Sequence, residues 1–210
     1  MRLQIALDTF DLDAALEVLA CVRPHVDIAE IGTGLGISAG VRAIAAVKSA
    51  APEISVLSDI KIMDGGSSMA SHVLDAGADL VSVLGVADDA TVAAAVGAAH
   101  ERGKHVVADL IGVRDIAERA AELDLLGVDV LCVHTPYDLR ESVLPPTEAL
   151  SIVRSVATRA ESAVTGGITL DAIDRIVSYG PDVVVVGGAL MNAPDPAATA
   201  ARFARAVRRG

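Results

Sequence analysis

The chain has 210 residues, of which 52% are hydrophobic and 2% aromatic, and its formal net charge is −11 at pH 7. This length suits one large domain with its own core, and no apolar run reaches the roughly 18 residues that a membrane span requires. The negative charge and the scarcity of aromatic side chains argue against nucleic-acid or anionic-membrane binding through the bulk surface, but they do not exclude a small phosphorylated ligand.

The amino terminus and the cysteines predict a cytoplasmic protein. The first residues, MRLQIALDTFDLD, contain acids and no small-residue cleavage site, which is not the pattern of a secretory signal peptide. Cys21 and Cys132 are too few for a disulfide framework, so a reducing compartment is expected.

Eight short runs rich in β-branched residues predict strands along the whole chain. In chain order they are RLQIAL (2–7), VDIAEI (26–31), ISVLSDI (54–60), DLVSVL (79–84), KHVVADL (104–110), VDVLCV (128–133), SAVT (162–165) and DVVVVG (182–187). Between them lie Ala-rich segments of helical length, such as DDATVAAAVGAAHERG and AERAAELDLLG. These segments end in Gly, as many helices do.

This alternation predicts an α/β fold. Strand starts recur about every 25 residues, and near-continuous apolar strands are typical of a parallel sheet covered on both faces. Eight strands alternating with eight helices indicate a compact (β/α)₈ TIM barrel. An open, doubly wound sheet is the alternative, but the first strand leads into DTFDLD rather than into a G-x-G-x-x-G turn. Nothing resembling a linker divides the chain, so residues 1–210 are predicted to form one domain.

Ionisable side chains collect where the predicted strands end. In a barrel, the carboxyl ends of the strands form the functional face, so these side chains should converge on one mouth. Each has an ordinary structural alternative, because a strand-end acid often caps the next helix and a lone histidine is often a scaffold residue. The six residues are Asp8, Glu30, Asp59, Lys61, Asp109 and His134.

The stretch LSDIKIMDGG carries three charges in the spacing D-x-K-x-x-D. Asp59 and Lys61 are two residues apart, so on a strand they should point to the same side, into the barrel. Asp64 should lie on the following loop, beyond their reach within one subunit. Carboxylates at Glu30 and Asp59 are the hard oxygen ligands that Mg²⁺ prefers, although the spacing alone does not establish a metal site. A surface charge cluster is the alternative interpretation.

Two glycine pairs follow the last two predicted strands. Gly166-Gly167 lie in TGGIT and Gly187-Gly188 in VGGAL, and each pair is expected to open a helix with exposed backbone N–H groups. The loops after strands 7 and 8 are the usual phosphate site of barrel enzymes. The pairs therefore predict binding of a phosphate group.

Several segments together resemble the 3-hexulose-6-phosphate synthase family of the orotidine-monophosphate-decarboxylase superfamily. They are LQIALD, VDIAEIGTGLG, SDIKIMDGG, GADLVSVLGVAD, VVADLIGV, TGGIT and VVVVGGAL, and the resemblance runs essentially end to end. It implies a barrel of the ribulose-phosphate-binding type that forms a homodimer, with Mg²⁺ (or Mn²⁺) near Glu30 and Asp59. It also implies that formaldehyde is joined to ribulose 5-phosphate through an enediolate, giving D-arabino-hex-3-ulose 6-phosphate.

The same resemblance implies a role for each candidate residue. Lys61 and the metal would hold the enediolate oxygens, and His134 would carry the proton. Asp8 and Asp64 would orient sugar hydroxyls, with Asp64 reaching across the dimer interface into the partner's site. Asp109 would contact the substrate, and the two glycine pairs would bind its phosphate.

One loop departs from the family pattern and keeps other functions open. Pro136 stands where the synthases tend to have a small residue, and Tyr137 stands where the related 3-keto-L-gulonate-6-phosphate decarboxylase has arginine. Asp109 follows the synthases, since the decarboxylase has glutamate there. The alternatives are that decarboxylase, orotidine-monophosphate decarboxylase and a non-catalytic barrel that binds a sugar phosphate.

Overall fold

The computed structural model describes residues 1–139 and 146–209 and shows a closed parallel barrel. Neighbouring strands pair in chain order, and the first pairs with the last. The predicted (β/α)₈ fold is therefore confirmed. Its strands are β1 (Arg2–Leu7), β2 (Ile28–Ile31), β3 (Ser55–Ile62), β4 (Leu80–Leu84), β5 (His105–Asp109), β6 (Val130–His134), β7 (Glu161–Thr165) and β8 (Val183–Val186).

The described residues contain more helices than the eight expected. Gly40, with φ +61°, separates two helices in the β2–β3 connection, and two helices follow β8. The helices are α1 (Leu12–Val22), α2 (Thr33–Ala39), α3 (Val41–Ala50), α4 (Gly66–Asp75), α5 (Asp89–His100), α6 (Ile116–Leu125), α7 (Pro146–Val156), α8 (Ile173–Val177), α9 (Gly188–Met191) and α10 (Pro196–Val207), with a 3₁₀ turn at Tyr137–Leu139.

Local sequence explains where several helices begin and end. The carboxylates of Asp11, Asp115 and Asp195 accept backbone N–H groups in the first turns of α1, α6 and α10. Gly103 and Gly127, in the chain just past α5 and α6, have φ +63° and +88°. Glycine adopts this conformation without steric cost, so the predicted helix ends in these two segments are confirmed.

The strands separate two apolar cores. Alternate residues of β1, such as Leu3 and Ile5, face outward and pack with helix residues such as Phe203 in the larger core. The opposite side of each strand faces the barrel axis, where a smaller cluster combines aliphatic side chains such as Leu57 and Val107 with the smaller Ala6 and Ala163. None of the side chains in this inner cluster is aromatic, and a cavity remains inside the barrel.

Strand β3 contains an irregularity that shapes the site. Ser58 pairs with Val81 of β4, but the next pair joins Ile62 to Val83, so β3 carries extra residues opposite Ser82. Within this bulge Lys61 has φ +47°, the only positive φ of a non-glycine residue among those described. Asp59 and Lys61 both face the barrel interior, where they contact each other, so the prediction that they point to the same side is confirmed. They do so across a bulge rather than a regular pleat.

At the opposite end of the barrel an aspartate precedes every second strand. Each donates its backbone N–H to the preceding strand, and its carboxylate accepts a backbone N–H from the same residue of that strand. Each carboxylate also lies near one or two basic side chains. We call this set the N-terminal rim: Asp27, Asp79, Asp129 and Asp182.

Helices long and apolar enough to cross a bilayer do not occur in residues 1–139 and 146–209.

Candidate active site

A cavity of about 750 Å³ opens at the carboxyl ends of the strands and extends into the barrel. It brings together nearly all of the site residues predicted from the sequence. All six ionisable residues predicted at the strand ends line it, namely Asp8, Glu30, Asp59, Lys61, Asp109 and His134, and all four glycines of the two pairs line it as well.

Lys61 lies between two carboxylates inside the cavity. Its Nζ donates a hydrogen bond to Oδ2 of Asp59 and lies 3.4 Å from Oδ2 of Asp109. Burial alone would lower the pKa of Lys61, but the negative charges of the two aspartates outweigh burial and raise it above its usual value. The ammonium group therefore stays charged, available to an oxygen that gains negative charge during a reaction.

Asp59 is fixed by three donors. Its Oδ1 accepts a hydrogen bond from the hydroxyl of Ser82 at 2.7 Å, and its Oδ2 accepts one from Thr33 Oγ1 at 3.0 Å as well as the bond from Lys61. The residue is 6% exposed, so this carboxylate has one defined orientation. Thr33 and Ser82 were not predicted from the sequence. Ser82 could have been recognised as an inward-facing hydroxyl in the apolar strand DLVSVL.

Glu30 lines the same cavity. Its Oε2 accepts a hydrogen bond from Gln4 Nε2 at 2.6 Å. Burial, followed by the charges of Asp59 and Asp8, raises the pKa of Glu30 well above its usual value. Gln4 was also missed, although an amide in the middle of RLQIAL is the kind of polar residue that needs a buried partner.

Asp109 and His134 form a pair on neighbouring strands β5 and β6. Nδ1 of His134 lies 2.8 Å from Oδ2 of Asp109, the same oxygen that Lys61 approaches. Burial would raise the pKa of Asp109, but the hydrogen bond and charge of His134, followed by the charge of Lys61, lower it. With the Nδ1 proton directed to this carboxylate, Nε2 of His134 is the nitrogen that can accept or release a proton.

The carboxylates near the barrel axis suit a hard cation in number and chemistry. Among the described residues no group of three His, Cys, Asp or Glu side chains could hold a metal ion. Mg²⁺, however, commonly takes one or two carboxylates together with water and substrate oxygens. Glu30 and Asp59 fit that pattern, because the crowding of negative charge that raises the pKa of Glu30 would be relieved by a cation. A metal that needs three or four side-chain ligands does not fit.

The glycine pairs line the cavity, but only one of them opens a helix. Gly187 precedes α9 directly. Gly166 and Gly167 have φ +105° and +69° and form a bend, and α8 begins only at Ile173. The expectation that TGGIT opens a helix was therefore wrong, because two left-handed glycines turn the chain instead. Outside helices and strands, the four N–H groups donate no backbone hydrogen bond within the described residues.

Asp8 is held close to backbone from two loops. A Cβ added to Gly32 would lie 2.5 Å from one oxygen of Asp8, and a Cβ added to Gly187 would lie 2.5 Å from the other. Both glycines are thus needed to make room for this carboxylate. Asp8 does not cap the following helix, whose cap is Asp11, so the capping role considered for strand-end acids does not apply to Asp8.

Asp64 is the candidate that the cavity does not include. Within the described part of the chain it is exposed, and its side chain accepts the N–H of Gly65 at 2.7 Å. Gly65 has φ +65°, and a Cβ on Gly66 would lie 2.1 Å from the carbonyl oxygen of Thr91 on α5. These glycines allow a turn and close packing of α4 on α5, and they leave Asp64 projecting from the surface.

The loop after β6 and one cysteine complete the walls. Pro136 and Tyr137 line the cavity, and Tyr137 is 76% exposed in its 3₁₀ turn. The rest of the segment HTPYDLRES, residues 140–142, lies outside the described residues.

Cys132 is buried in the inner wall, and burial together with nearby Asp109 raises the pKa of its thiol well above the usual value. This thiol therefore stays neutral and is a poor nucleophile.

Comparisons with known proteins agree with this architecture. Residues 1–203 match the family described as "Orotidine 5'-phosphate decarboxylase / HUMPS family". The chain is 40% identical over 210 residues to a protein of Bacillus subtilis (strain 168) named 3-hexulose-6-phosphate synthase, covering 100% of both chains.

Solved structures show the same relation. A crystal structure of 3-hexulose-6-phosphate synthase from Salmonella typhimurium superposes with a TM-score of 0.96 at 41% identity, covering 100% of this chain and 99% of the other. A structure of 3-keto-L-gulonate-6-phosphate decarboxylase from Vibrio cholerae has a TM-score of 0.87 at 26% identity, covering 99% of this chain and 97% of the other.

Proposed function

The chain belongs to the orotidine 5'-phosphate decarboxylase / HUMPS family, and from that premise we propose that it is an aldolase-type lyase. It joins formaldehyde to D-ribulose 5-phosphate, reversibly, to give D-arabino-hex-3-ulose 6-phosphate. The observation that carries the proposal is the charged Lys61 held between Asp59 and Asp109 beside His134, in a chain about two-fifths identical to proteins named for this reaction.

The first step needs a base at C1 of the sugar phosphate. His134 can supply it, because Asp109 holds its Nδ1 proton and leaves Nε2 to remove the C1 proton. The electron pair moves to the C2 carbonyl oxygen and forms the enediolate. C1 then attacks the carbon of formaldehyde, and the aldehyde oxygen takes the proton back from His134. One C–C bond forms, and the carbonyl remains on the carbon that was C2.

The enediolate is stabilised by the group formed by Lys61, Asp59 and Asp109, which we call the charged centre. Lys61 donates to the developing oxyanion, and its fixed position means that little reorganisation is needed as charge grows. Mg²⁺ or Mn²⁺ at Glu30 and Asp59 would add positive charge at the same oxygens. Asp59 holds Lys61 in place, so loss of either residue removes the same interaction.

The rest of the substrate fits the upper part of the cavity. The N–H groups of the glycine pairs, which line the cavity, are suitable donors for a phosphate. The helix dipole of α9 contributes little, because that helix is a single turn. Asp8, whose carboxylate lies beside Gly187, would orient a sugar hydroxyl.

A synthase is favoured over a decarboxylase by two observations. The similarity to proteins named as synthases is 40–41%, whereas it is 26% to the decarboxylase of Vibrio cholerae. Tyr137 lines the cavity at the position where the sequence resemblance assigns arginine to the decarboxylases. A cytoplasmic setting is part of this proposal, since Cys21 and Cys132 are both free thiols.

The direct test is to incubate the purified protein with Mg²⁺, ribulose 5-phosphate and formaldehyde and to follow the loss of formaldehyde. Loss that depends on all three components, and on the enzyme, is expected. Treatment with EDTA should abolish it, and added Mg²⁺ should restore it. Activity toward 3-keto-L-gulonate 6-phosphate but not toward formaldehyde would overturn the proposal in favour of the decarboxylase.

A homodimer with shared sites is the second part of the proposal. Asp64 projects from the surface beside Met63 and Met69, which are 54% and 46% exposed, so this loop is suited to contact another chain. In a two-fold dimer Asp64 of one protomer could then reach the cavity of its partner.

Complementation between two inactive variants tests that arrangement. Lys61→Ala and Asp64→Ala homodimers should both be nearly inactive. Mixing and subunit exchange should create hybrids with one intact site each and restore roughly a quarter of wild-type activity. If mass spectrometry shows complete exchange and no activity returns, Asp64 acts within its own chain.

A further inference from the structure

We propose that Ser82 is a positioning residue that locks the bulge of β3 and thereby aims both Asp59 and Lys61 into the cavity. Its catalytic consequence rests on the proposed function. Its structural consequence does not. Ser82 lies in the middle of β4 and is 2% exposed.

The hydroxyl of Ser82 contacts two residues of the charged centre, Asp59 and Lys61. Ser82 Oγ accepts the backbone N–H of Lys61 at 2.9 Å and donates its own proton to Oδ1 of Asp59 at 2.7 Å. The acceptor and donor capacity of the hydroxyl is thus used on two residues of one strand. A methyl group at this position would leave the N–H of Lys61 and one oxygen of Asp59 without these bonds.

The backbone of Lys61 needs such support. Its φ of +47° is unfavourable for a residue with a side chain, because Cβ crowds the neighbouring carbonyl. Such a conformation persists only where the surroundings enforce it. The enforcing contact is at hand, because Ser82 lies opposite the irregular part of β3, between the Ser58–Val81 and Ile62–Val83 pairs.

Loss of the Ser82 hydroxyl would change the orientation of the Asp59 and Lys61 side chains and not their charges. If Lys61 relaxed to a negative φ, the bulge would rearrange, and Nζ would no longer meet Asp59 and Asp109 as it does here. Asp59 would keep Thr33 as a donor but lose the bond that fixes its other oxygen. Ser82 therefore acts through the geometry of two residues and not by touching substrate.

The chain offers a matched control in Ser162. This serine is also 2% exposed, lies in β7, and donates its hydroxyl to an aspartate, Oδ2 of Asp182, at 2.8 Å. Asp182 belongs to the N-terminal rim, so Ser162 lies at the other end of the barrel from Ser82. Ser82→Ala and Ser162→Ala therefore remove the same chemical group from equally buried strand positions.

The kinetic test compares these two variants with Ser82→Thr. Ser82→Ala should lower kcat about 10- to 100-fold with a KM for ribulose 5-phosphate within about threefold of wild type, as expected for a small displacement of reacting groups. Ser82→Thr, which keeps the hydroxyl, should recover most of kcat. Ser162→Ala should lower Tm by about as much as Ser82→Ala does, and it should keep wild-type kcat. Equal kcat values for the two alanine variants would overturn the proposal.

Crystal structures of the same variants provide a readout independent of turnover. In Ser82→Ala we expect Lys61 to leave the positive-φ region and Nζ to move away from Asp59, while Ser162→Ala keeps both. If the wild type fails to consume formaldehyde, the proposed function is wrong, and these structures still decide the role of Ser82. An unchanged Lys61 backbone in Ser82→Ala would refute it. If Ser82→Ala does not fold, the same measurements on Ser82→Cys, whose thiol is a weak hydrogen-bonding group, replace it.

Discussion

At the N-terminal rim each of four aspartates accepts a backbone N–H from the preceding strand and lies near basic side chains. In the cavity, by contrast, carboxylates lie near one another, and one lysine, Lys61, pairs with both Asp59 and Asp109. At Asp79 burial would raise the carboxyl pKa, but Lys104, Lys48 and the Val56 N–H lower it below its usual value. In the cavity burial and neighbouring acids raise the pKa of Glu30. The pKa values of Asp79 and Glu30 are therefore shifted in opposite directions, although that of Asp109, which contacts His134 and lies near Lys61, is lowered like that of Asp79.

The difference shows how stability and function are separated along the barrel. Carboxylates that meet backbone donors and cations stabilise the fold, because each negative charge is compensated where it lies. Carboxylates that lie near one another repel each other, and a bound cation or a positively charged lysine relieves that repulsion. Changes at the N-terminal rim should therefore alter stability alone, and changes in the cavity should alter activity first.

The largest expected effect is the loss of Lys61. Lys61→Ala should lower kcat by about a thousandfold or more with a modest change in KM, because the ammonium group acts mainly on the enediolate oxygen. Lys48→Ala is the matched change at the N-terminal rim, where Lys48 pairs with Asp79, and it should keep wild-type kcat. Steady-state kinetics of both variants measures the contrast. A mild loss in Lys61→Ala would support a binding protein instead.

Asp79 should give the reverse result. It accepts Val56 N at 3.0 Å and Lys104 Nζ at 2.6 Å, and it also pairs with Lys48. Asp79→Ala should therefore cost about 2–3 kcal/mol of unfolding free energy while kcat stays at the wild-type value. Urea denaturation and kinetics below the transition test this. Reduced kcat in the fully folded variant would break the division between the two ends.

Sequence patterns were sufficient for the barrel and for most of the cavity. The eight apolar runs each became a strand, and strand-end charges such as Asp109 and His134 met because parallel strands end at one face. The bulge at Lys61 was not predictable, since its cause is a contact with Ser82 on another strand. The bend at Gly166 was missed for a similar reason, because a Gly-Gly pair fits either a helix start or a turn.

The N-terminal rim was overlooked although it has a sequence signal. Asp79, Asp129 and Asp182 each stand two residues after a glycine and directly before an apolar strand, in GADLV, GVDVL and GPDVV. The repeat is visible in the chain, but only the structure shows that every carboxylate returns to the preceding strand. Acids at the starts and the ends of strands look alike until their partners are known.

Asp124 extends the stabilising pattern to a helix and predicts a pH dependence. Its carboxylate accepts four hydrogen bonds from residues 158–160. Burial would raise its pKa, but the Ala160 N–H and the Thr158 donors lower it to about 2 from an ordinary value of 3.8. A depressed carboxyl pKa adds stability that is complete above the unfolded-state pKa and is lost as pH falls toward the folded-state pKa.

The wild type should therefore exceed Asp124→Asn by about 2 kcal/mol of unfolding free energy at pH 6, and the gap should shrink by about half at pH 3. Urea denaturation at both pH values measures it, with kcat at pH 7 as the check that the cavity is unaffected. A gap that is constant from pH 6 to pH 3 would show that the charge of Asp124 is not what stabilises the loop.

The smallest expected effect is a gain in stability, and it tests most directly whether the cavity differs from the N-terminal rim. Glu30 sits in the field of Asp59 and Asp8, so its ionised form should destabilise the metal-free protein. Glu30→Gln removes that charge and keeps an acceptor for Gln4. In EDTA, Glu30→Gln should raise Tm by about 2–4 °C, the shift expected for roughly 1 kcal/mol in a chain of this size. Added Mg²⁺ should raise the Tm of the wild type and leave the variant nearly unchanged, because only the wild type keeps both ligands.

Asp27→Asn, at the N-terminal rim, should lower Tm in either buffer, since Asp27 accepts the N–H of Leu3. If Glu30→Gln in EDTA loses as much stability as Asp27→Asn, the cavity carboxylates stabilise the fold after all, and the two ends of the barrel do not differ in the way proposed.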